Sequence, residues 1–258
     1  MEEPLFGGNT SAAVVRVDST VRRPTGPWTP GVHALLRHLE SCGFDGAPRV
    51  LGIDERGREI VTYVEGLVVE PDHLELVAED RPLAEISGRI RAYHDAVADF
   101  APPDEQAWSD RGSDPRGPHE VLCHNDLAPW NLVRGSSGQW TFIDWDLAAP
   151  GRRSWDLAWA LLSFVPLMPE SKLTGEEIRR RITVFRDGYG VTLFPTDVLD
   201  VAVERCSHEA GRIHELGSRG HEPYRRLLAE GHRDIWASAE QHIRQRAPEW
   251  QAALEGRS

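Results

Sequence analysis

Three polar residues with fixed spacing are the strongest candidates for chemistry in this 258-residue sequence: Asp126, Asn131 and Asp144. Four residues separate Asp126 from Asn131, and Asp144 directly follows the apolar run 140–143. Carboxylate and amide oxygens are hard ligands that suit Mg²⁺ held jointly with phosphate oxygens. If two of the three residues hold such an ion, the remaining carboxylate is available to orient or deprotonate a hydroxyl group.

A β-hairpin is predicted to bring Asn131 and Asp144 together. Two short apolar runs flank a Gly-Ser-Ser-Gly sequence at 135–138, which is typical of a hairpin turn. Because a hairpin places its two ends side by side, the amide and the carboxylate should converge, with Asp126 one loop away. The alternative is that these residues only cap a turn and a strand end, but their joint spacing favours a site.

The elements around these residues divide into a β-rich beginning and a helical remainder. Val-rich runs, one helix at 33–41 and a strand pair predict a β-β-α-β-β order over about the first 65 residues. Helical periodicity then predicts the following helices: 82–100, 154–165, 174–188, 196–216 and 221–245. We therefore expect an α+β, bilobal fold with a small antiparallel-sheet lobe at 1–65 and a larger, mostly helical lobe at 66–258.

Charge and composition exclude several classes of partner. The chain has 29 Lys and Arg against 41 Asp and Glu, and its formal net charge of −12 disfavours nucleic acids and anionic membrane surfaces. No apolar run approaches the roughly 20 residues of a membrane span, and the N-terminus lacks the apolar region of a secretory signal. The three cysteines are far apart and predict neither a disulfide framework nor a zinc site. These features predict a cytoplasmic protein.

The sequence around the three polar residues resembles the aminoglycoside phosphotransferase and choline kinase-like family, which has a protein kinase-like fold. Residues 124–131 are HNDLAPWN, residues 143–146 are IDWD, and residues 154–158 are SWDLA, in the order and with the gaps of the family motifs. The resemblance implies an ATP-dependent enzyme that uses Mg²⁺. It would transfer the γ-phosphoryl group of ATP to a hydroxyl group of a small molecule.

The resemblance also implies roles for individual residues. Asp126 would be the catalytic base or hydroxyl-orienting residue, and Asn131 and Asp144 would hold Mg²⁺. His124 would brace the loop. Asp156, where a helix is predicted to begin, is expected to cap the N-terminus of that helix. The acidic residue at 146 occupies a position that can approach the metal or the substrate in the resembling family.

Nucleotide contacts are implied for the N-terminal lobe, which contains no Lys. Arg22 would hold the α- and β-phosphates in place of the usual Lys, with Arg23 as the alternative, because Arg grips phosphate bidentately. The Glu that usually pairs with this cation is not evident, since Val32 stands at its place on the helix, with His33 next to it. The backbone is expected to contact the triphosphate at a glycine pair and adenine at the interlobe hinge: Gly7, Gly8, Tyr63 and Val64.

The sequence leaves the acceptor open among aminoglycoside-like, choline-like, sugar, amino-alcohol and macrolide molecules. The C-terminal helices carry acidic residues that either attract a cationic or polyhydroxyl acceptor or form an ordinary solvated face: Asp197, Asp200, Glu204, Glu209 and Glu215. The alternative function is a non-catalytic nucleotide- or partner-binding module on a kinase-like scaffold, which the missing Lys and Glu suggest. A protein kinase is disfavoured, because the helix at 154 leaves no room for a long activation segment.

Overall fold

The N-terminal region is built on a five-stranded antiparallel sheet in the computed structural model, which describes residues 2–5, 14–102, 107–117 and 119–255. The strands, in the spatial order β1-β2-β3-β5-β4, are β1 (Glu3–Pro4), β2 (Val15–Val17), β3 (Thr20–Arg23), β4 (Val50–Ile53) and β5 (Glu59–Thr62). Helix α1 (Thr29–Ser41) connects β3 to β4. It begins before the predicted start at residue 33, because Pro30 lies in the first turn, where its missing N–H is not needed.

The pairing of β3 with β5 decides which side chains share a face of the sheet. Arg23 lies opposite Glu59, and Thr20 lies opposite Thr62. Because successive side chains of a strand point to opposite faces, Arg23 and its neighbour Arg22 point to different sides of the sheet. Residues directly opposite each other on paired strands share a face, so Glu59 is on the side of Arg23.

Residues 63–66 lead from this sheet to two smaller antiparallel sheets. One contains β6 (Leu67–Val68), β8 (Leu132–Arg134) and β9 (Trp140–Phe142), and the other pairs β7 (Val121–Cys123) with β10 (Ala149–Gly151). Strands β8 and β9 form the predicted hairpin. Its turn is closed by backbone hydrogen bonds from Gly135 to Gln139 and from Gly138 to Gly135.

The C-terminal part is helical, as predicted. Its helices are α2 (Asp80–Ala96), α3 (Arg153–Phe164), α4 (Gly175–Tyr189), α5 (Val198–Ser218), α6 (Tyr224–Ala229) and α7 (His232–Leu254). The single helix predicted over 221–245 is wrong: Gly231, with φ of 81°, adopts a left-handed conformation that separates α6 from α7. The chain thus has the predicted α+β fold, with an antiparallel sheet near its N-terminus and helices toward its C-terminus.

One continuous core joins the helices to the hairpin. The predicted apolar stripe of α2 is fully buried through Leu83, Ile86 and Ile90. Helix α2 packs against α4, and α5 packs against both α3 and α7. The core therefore fixes α3 and α5 next to the segment that carries the polar motif. No helix in the described residues is long and apolar enough to cross a bilayer.

Candidate active site

The loop 124–131, between β7 and β8, is held by a buried carboxylate of α3. Asp156 accepts hydrogen bonds from the backbone N–H groups of His124 (2.9 Å) and Asn125 (2.8 Å), and it lies 3.1 Å from Nε2 of His94. The predicted N-capping role of Asp156 is wrong, because α3 begins at Arg153 and no side chain caps it. Asp156 instead lies inside the helix and fixes the start of the loop.

Charge and backbone geometry both contribute to this anchoring. Burial acts to raise the pKa of Asp156, but its bonds to His94 and the nearby His124 outweigh burial and hold the pKa below its usual value. Asn125 has a φ of 67°, a left-handed conformation that costs energy outside glycine. Its carbonyl accepts a 2.5 Å hydrogen bond from Nη2 of Arg205, and its Nδ2 donates to the Leu147 carbonyl. Interactions on both sides thus maintain the strained turn.

Asp126, the predicted catalytic residue, has a hydrogen-bond donor on each carboxylate oxygen. Nε1 of Trp159 donates to Oδ1 at 2.9 Å, and Nδ2 of Asn131 donates to Oδ2 at 2.7 Å. Burial raises the pKa of Asp126 and Asp144 adds to this effect, while His124 and the two donors oppose it. The net pKa lies above the ordinary value for aspartate, which is the direction that makes a carboxylate a better proton acceptor.

The hairpin places the backbones of Asn131 and Asp144 near each other at its open end. The backbone N–H of Ile143 donates to the carbonyl of Asn131 at 2.9 Å, so the two ends of the hairpin are in register. Nε2 of His124 lies 3.1 Å from the Ile143 carbonyl and ties the loop to the hairpin. The predicted bracing role of His124 stays a prediction, and this contact is of the kind it requires.

The side-chain oxygen atoms of Asn131 and Asp144 are suitable ligands for a hard cation. Because Nδ2 of Asn131 is engaged with Asp126, the amide oxygen of Asn131 remains as an acceptor. Asp144 has a φ of 60°, and its side chain is 46% exposed with Oδ1 in an ion pair with Arg23. An amide oxygen and an accessible carboxylate are ligands that Mg²⁺ accepts when phosphate and water complete its shell.

Arg23, rather than Arg22, joins the N-terminal sheet to these residues. Its guanidinium lies 3.1 Å from Oδ1 of Asp144 and 2.9 Å from Oδ1 of Asp146. Arg22 donates to Thr20 at 2.5 Å and lies 3.8 Å from Asp54, on the other side of the sheet. The sequence predicts Arg22 as the phosphate-binding cation, with Arg23 as the alternative. In the structure it is Arg23 that contacts the motif residues Asp144 and Asp146.

The acid that holds this arginine comes from a strand. Oε1 of Glu59, which is 1% exposed, lies 2.6 Å from Nε of Arg23, and Oε2 lies 3.0 Å from Nε2 of His33. The usual helix Glu is missing from its position on α1. His33, next to the position where that Glu would stand, instead contacts Glu59 from the strand. Sequence reasoning missed Glu59; its only signal is an acidic residue at the first position of a predicted strand.

The cluster of Arg23 with Glu59, Asp144 and Asp146 carries more negative than positive groups. Burial raises the pKa of Asp146 to about 6, with Arg23 opposing and Asp144 and Glu59 adding to the rise. Burial acts to lower the pKa of Arg23, but the three carboxylates outweigh it and the pKa lies above its ordinary value. A cation or a proton is therefore favoured at this cluster.

Of the other predicted nucleotide contacts, the two in the part of the chain that the structure describes, Tyr63 and Val64, make no hydrogen bond or ion pair with this cluster. Tyr63 donates its backbone N–H to Ser19 at 2.8 Å, and its ring lies 3.8 Å from the guanidinium carbon of Arg16. Val64 follows it in the link between β5 and β6. The N–H of Tyr63 is thus engaged within the sheet. Gly7 and Gly8 lie outside the described residues.

The acidic residues of α5 do not form one wall. Asp197 precedes the 21-residue helix and Glu215 lies near its other end, so roughly 30 Å of helix separates them at about 1.5 Å per residue. Glu204 pairs with Arg116 at 2.8 Å, and Glu215 pairs with Arg219 at 3.1 Å. Much of this negative charge is thereby compensated locally.

Comparison with known proteins finds a family match that spans the polar motif. Residues 69–182 match the family described as the phosphotransferase enzyme family. The trifolitoxin immunity protein of Rhizobium leguminosarum bv. trifolii is 39% identical over 162 residues, which are 62% of this chain and 60% of that protein. The chain therefore matches less than two thirds of the length of this relative.

Solved structures show the same fold at low sequence identity. A choline/ethanolamine kinase family protein from Mesorhizobium loti is 14% identical, with a TM-score of 0.65 over 99% of this chain and 92% of that one. The amicoumacin kinase hAmiN in complex with AMP-PNP, Ca²⁺ and Ami is 12% identical, with a TM-score of 0.64 over 92% and 87%. The family match confirms the resemblance that the motifs predict, and these structures confirm the fold.

Proposed function

Proceeding from this family match and fold, we propose that the protein is an ATP-dependent small-molecule phosphotransferase. It transfers the γ-phosphoryl group of ATP to a hydroxyl group of its acceptor. The observation that supports the proposal is that Asn131 binds Asp126, while the hairpin places Asp144, which Arg23 contacts, beside the Asn131 backbone. These are the groups that phosphoryl transfer needs: a hydroxyl-orienting carboxylate, ligands for a divalent cation, and a phosphate-binding cation.

Asp126 acts on the acceptor. Its carboxylate accepts the hydroxyl proton as the new O–P bond forms, and ADP leaves as the bond to the γ-phosphorus breaks. The donors on both of its oxygens, from Trp159 and Asn131, fix the plane of the carboxylate before the acceptor arrives. This orientation supports catalysis by positioning, the main source of rate in this reaction class.

Arg23 binds the phosphates, and we assign this role to it in place of Arg22 because only Arg23 contacts the motif residues. Its planar guanidinium can exchange the carboxylates of Asp144 and Asp146 for phosphate oxygens while Glu59 keeps holding Nε. Asn131 and Asp144 would hold Mg²⁺, which supplies neutralisation of phosphate charge when bound. The released carboxylate of Asp144 then becomes available to the metal.

The finer features of the reaction remain part of the proposal. Tyr63 and Val64 are proposed to contact adenine, and Gly7 and Gly8 to cover the triphosphate. The division into lobes at 1–65 and 66–258 is likewise proposed. Because ATP is supplied inside the cell, we place the protein in the cytoplasm. The acceptor is a small molecule with a free hydroxyl group, of aminoglycoside-like, choline-like, sugar or amino-alcohol type.

A turnover assay tests this function. Purified protein with Mg-ATP and an acceptor panel should release ADP only when an acceptor is present. Asp126→Ala should abolish the release, because it removes the carboxylate that Asn131 and Trp159 hold in place. Asp99→Ala, which removes an exposed carboxylate outside the motif, is the matched control and should keep full activity. Full activity in Asp126→Ala would refute the role of Asp126.

The metal ligands need a binding measurement. Asp144→Asn should remove Mg²⁺-dependent binding of a non-hydrolysable ATP analogue, measured by calorimetry with and without the ion. Asp187→Asn, at a carboxylate paired with Arg186 on α4, should bind the analogue as the unaltered protein does. Unchanged binding in Asp144→Asn would remove this residue from the metal site.

The relative named an immunity protein favours a second candidate, in which the chain protects against a toxin by binding it. This would be the partner-binding module that the sequence left as an alternative. Trifolitoxin itself can separate the two candidates when it is added to the turnover assay. ADP release that Asp126→Ala abolishes supports phosphoryl transfer, whereas binding without ADP release across the whole panel supports the module.

A further inference from the structure

The indole of Trp159 contacts the proposed catalytic carboxylate of Asp126. The residue lies on α3. We propose that Trp159 is a positioning residue, whose N–H group holds the Asp126 carboxylate in the orientation that phosphoryl transfer requires. This inference rests on the proposed role of Asp126.

Two directed hydrogen bonds define the orientation of the carboxylate. Trp159 donates to Oδ1 at 2.9 Å, and Asn131 donates to Oδ2 at 2.7 Å. With one donor on each oxygen, the carboxylate cannot rotate about its Cβ–Cγ bond without losing a charge-assisted hydrogen bond. Asn131 is also a proposed metal ligand, so Trp159 is the donor on Asp126 that has no part in binding the ion.

Trp159 is itself immobilised by side chains from two other helices. The ring of Trp236, on α7, stacks on it with centroids 5.3 Å apart and planes 27° apart. The guanidinium of Arg205, on α5, lies 4.6 Å from its ring centroid. Arg205 is 1% exposed and donates to the carbonyls of Trp155 and Asn125. The indole therefore transmits the rigidity of the helical core to Asp126.

The loss of this donor should lower the rate of transfer without weakening nucleotide binding. Trp159→Phe keeps an aromatic ring against Trp236 and Arg205 but removes the N–H group. We expect kcat to fall about 10-fold, the effect of one hydrogen bond to a charged group. The KM for ATP should stay within about twofold, because the proposed phosphate contacts are on the Arg23 side of the site.

A second tryptophan of the chain provides a matched control. Nε1 of Trp140 donates to the Glu85 carboxylate at 3.1 Å, and Arg134 lies 4.2 Å from its ring centroid. Like Trp159, Trp140 thus donates from its indole to a carboxylate and has a guanidinium over its ring. The carboxylate here, that of Glu85, has no proposed role in the reaction. Trp140→Phe should therefore keep kcat within about twofold, since it removes a hydrogen bond of the same kind elsewhere.

A spectroscopic measurement tests the contact without turnover. The nine tryptophans give indole ¹⁵N–¹H resonances, and comparison with Trp159→Phe and Trp140→Phe assigns two of them. In Asp126→Ala, the Trp159 resonance should move to lower proton frequency as its acceptor disappears, while the Trp140 resonance should stay in place. A Trp159 resonance unaffected by Asp126→Ala would overturn the proposal.

The two measurements separate this proposal from the function on which it rests. Turnover by the wild-type protein with equal kcat in Trp159→Phe and Trp140→Phe would overturn the role of Trp159 alone. Failure of the wild-type protein to turn over any acceptor would overturn the proposed function and the role of Trp159 with it. A selective fall in kcat together with the shifted resonance supports both.

Discussion

Two buried arginines, one in the N-terminal sheet and one in the helical part, are held by opposite kinds of partner. Arg23 is 12% exposed in its side chain and faces three carboxylates, those of Glu59, Asp144 and Asp146. Arg205 is 1% exposed, and no carboxylate in the described residues lies within 4 Å of it. It is bound instead by two backbone carbonyls and by the faces of two indole rings.

The two environments act on the arginines in opposite directions. Carboxylates outweigh burial at Arg23 and raise its pKa, whereas burial dominates at Arg205 and lowers its pKa. An ion pair can be exchanged for a phosphate group or a metal ion, because charged ligands compete for the same partners. Carbonyl oxygens and indole faces offer no such exchange. We infer that the Arg23 cluster is adaptable, while the contacts of Arg205 are a permanent part of the fold.

The largest effect is expected from Arg205→Met. It removes the guanidinium donor from the carbonyls of Asn125 and Trp155, which should lower stability by about 3 kcal/mol. For a chain of this size, that change lowers Tm by roughly 6–12 °C. The shift should be the same at low and high salt, because the contacts are not ion pairs.

Thermal unfolding followed by circular dichroism measures this shift. Arg244→Met is the control, since Arg244 is 66% exposed and pairs with Glu240 one turn away on α7. Its Tm should change little. If Arg205→Met lowered Tm no more than the control, the two arginines would not differ as the structure indicates.

The next effect is on ligand binding at Arg23. Arg23→Gln should weaken binding of an ATP analogue about 100-fold, since a charge-assisted bidentate contact with phosphate is lost. The same variant should bind Mg²⁺ more tightly in the absence of nucleotide, because the carboxylates of Glu59, Asp144 and Asp146 lose their cation. Calorimetric titration with each ligand measures both changes.

Arg22→Gln is the control for this prediction, because it removes the neighbouring arginine on the opposite face of β3. Its affinity for the analogue should stay within about threefold of the unaltered protein. A larger loss in Arg22→Gln than in Arg23→Gln would return the phosphate-binding role to Arg22 and break the comparison.

The sequence predicted the parts of the site that depend on short segments. The apolar runs around 135–138 predict a hairpin, and this hairpin alone brings Asn131 next to Asp144. The helical stripe of α2 was likewise visible, because a period of 3.6 residues marks a face that must be buried. Local patterns of this kind need no knowledge of the partner elements.

The parts that depend on strand register could not be predicted. Two adjacent arginines end β3, and only its pairing with β5 decides which of them faces the motif residues. The same pairing supplies Glu59, more than thirty positions along the chain from Arg23. A one-residue change of register would exchange the two arginines.

Contacts between distant elements were also beyond the sequence. Asp156 reads as a helix cap because acidic residues favour the first turn, yet its side chain turns toward the backbone of His124 and Asn125. The bond from Trp159 to Asp126 depends on how α3 packs beside the loop. Composition and periodicity carry no information on contacts between side chains of elements that are distant in the sequence.

The stability contributions of one aspartate near Arg23 and one near Arg205 should depend on pH with opposite signs. The pKa of Asp146, near Arg23, is raised from 3.8 to about 6, so the folded state binds its proton more tightly than the unfolded state. Its contribution to stability therefore falls as pH rises between these values. Asp146→Asn should remove this dependence and raise stability at neutral pH by about 1–2 kcal/mol.

Asp156, close to Arg205, provides the opposite case. Its pKa is lowered in the folded state, so its contribution to stability is present above the ordinary aspartate pKa and is lost as pH falls through the folded pKa. Denaturant unfolding measured across acid and neutral pH separates the two residues. A stability curve of Asp146→Asn that parallels the wild-type curve would contradict the assignment to Asp146.

The smallest effect is expected on the outer face of α5. Glu215 is 59% exposed and pairs with Arg219, so Glu215→Gln should change stability by less than about 0.5 kcal/mol. The KM for a cationic acceptor should also stay the same, because the acids of α5 are spread along the helix and compensated locally. Turnover at low and high salt with one cationic and one neutral acceptor measures this.

A rise in KM for the cationic acceptor alone, abolished by salt, would show that the helical part also attracts its ligand through exchangeable surface charge. The contrast with the Arg23 cluster would then hold for the interior of the helical part but not for its surface.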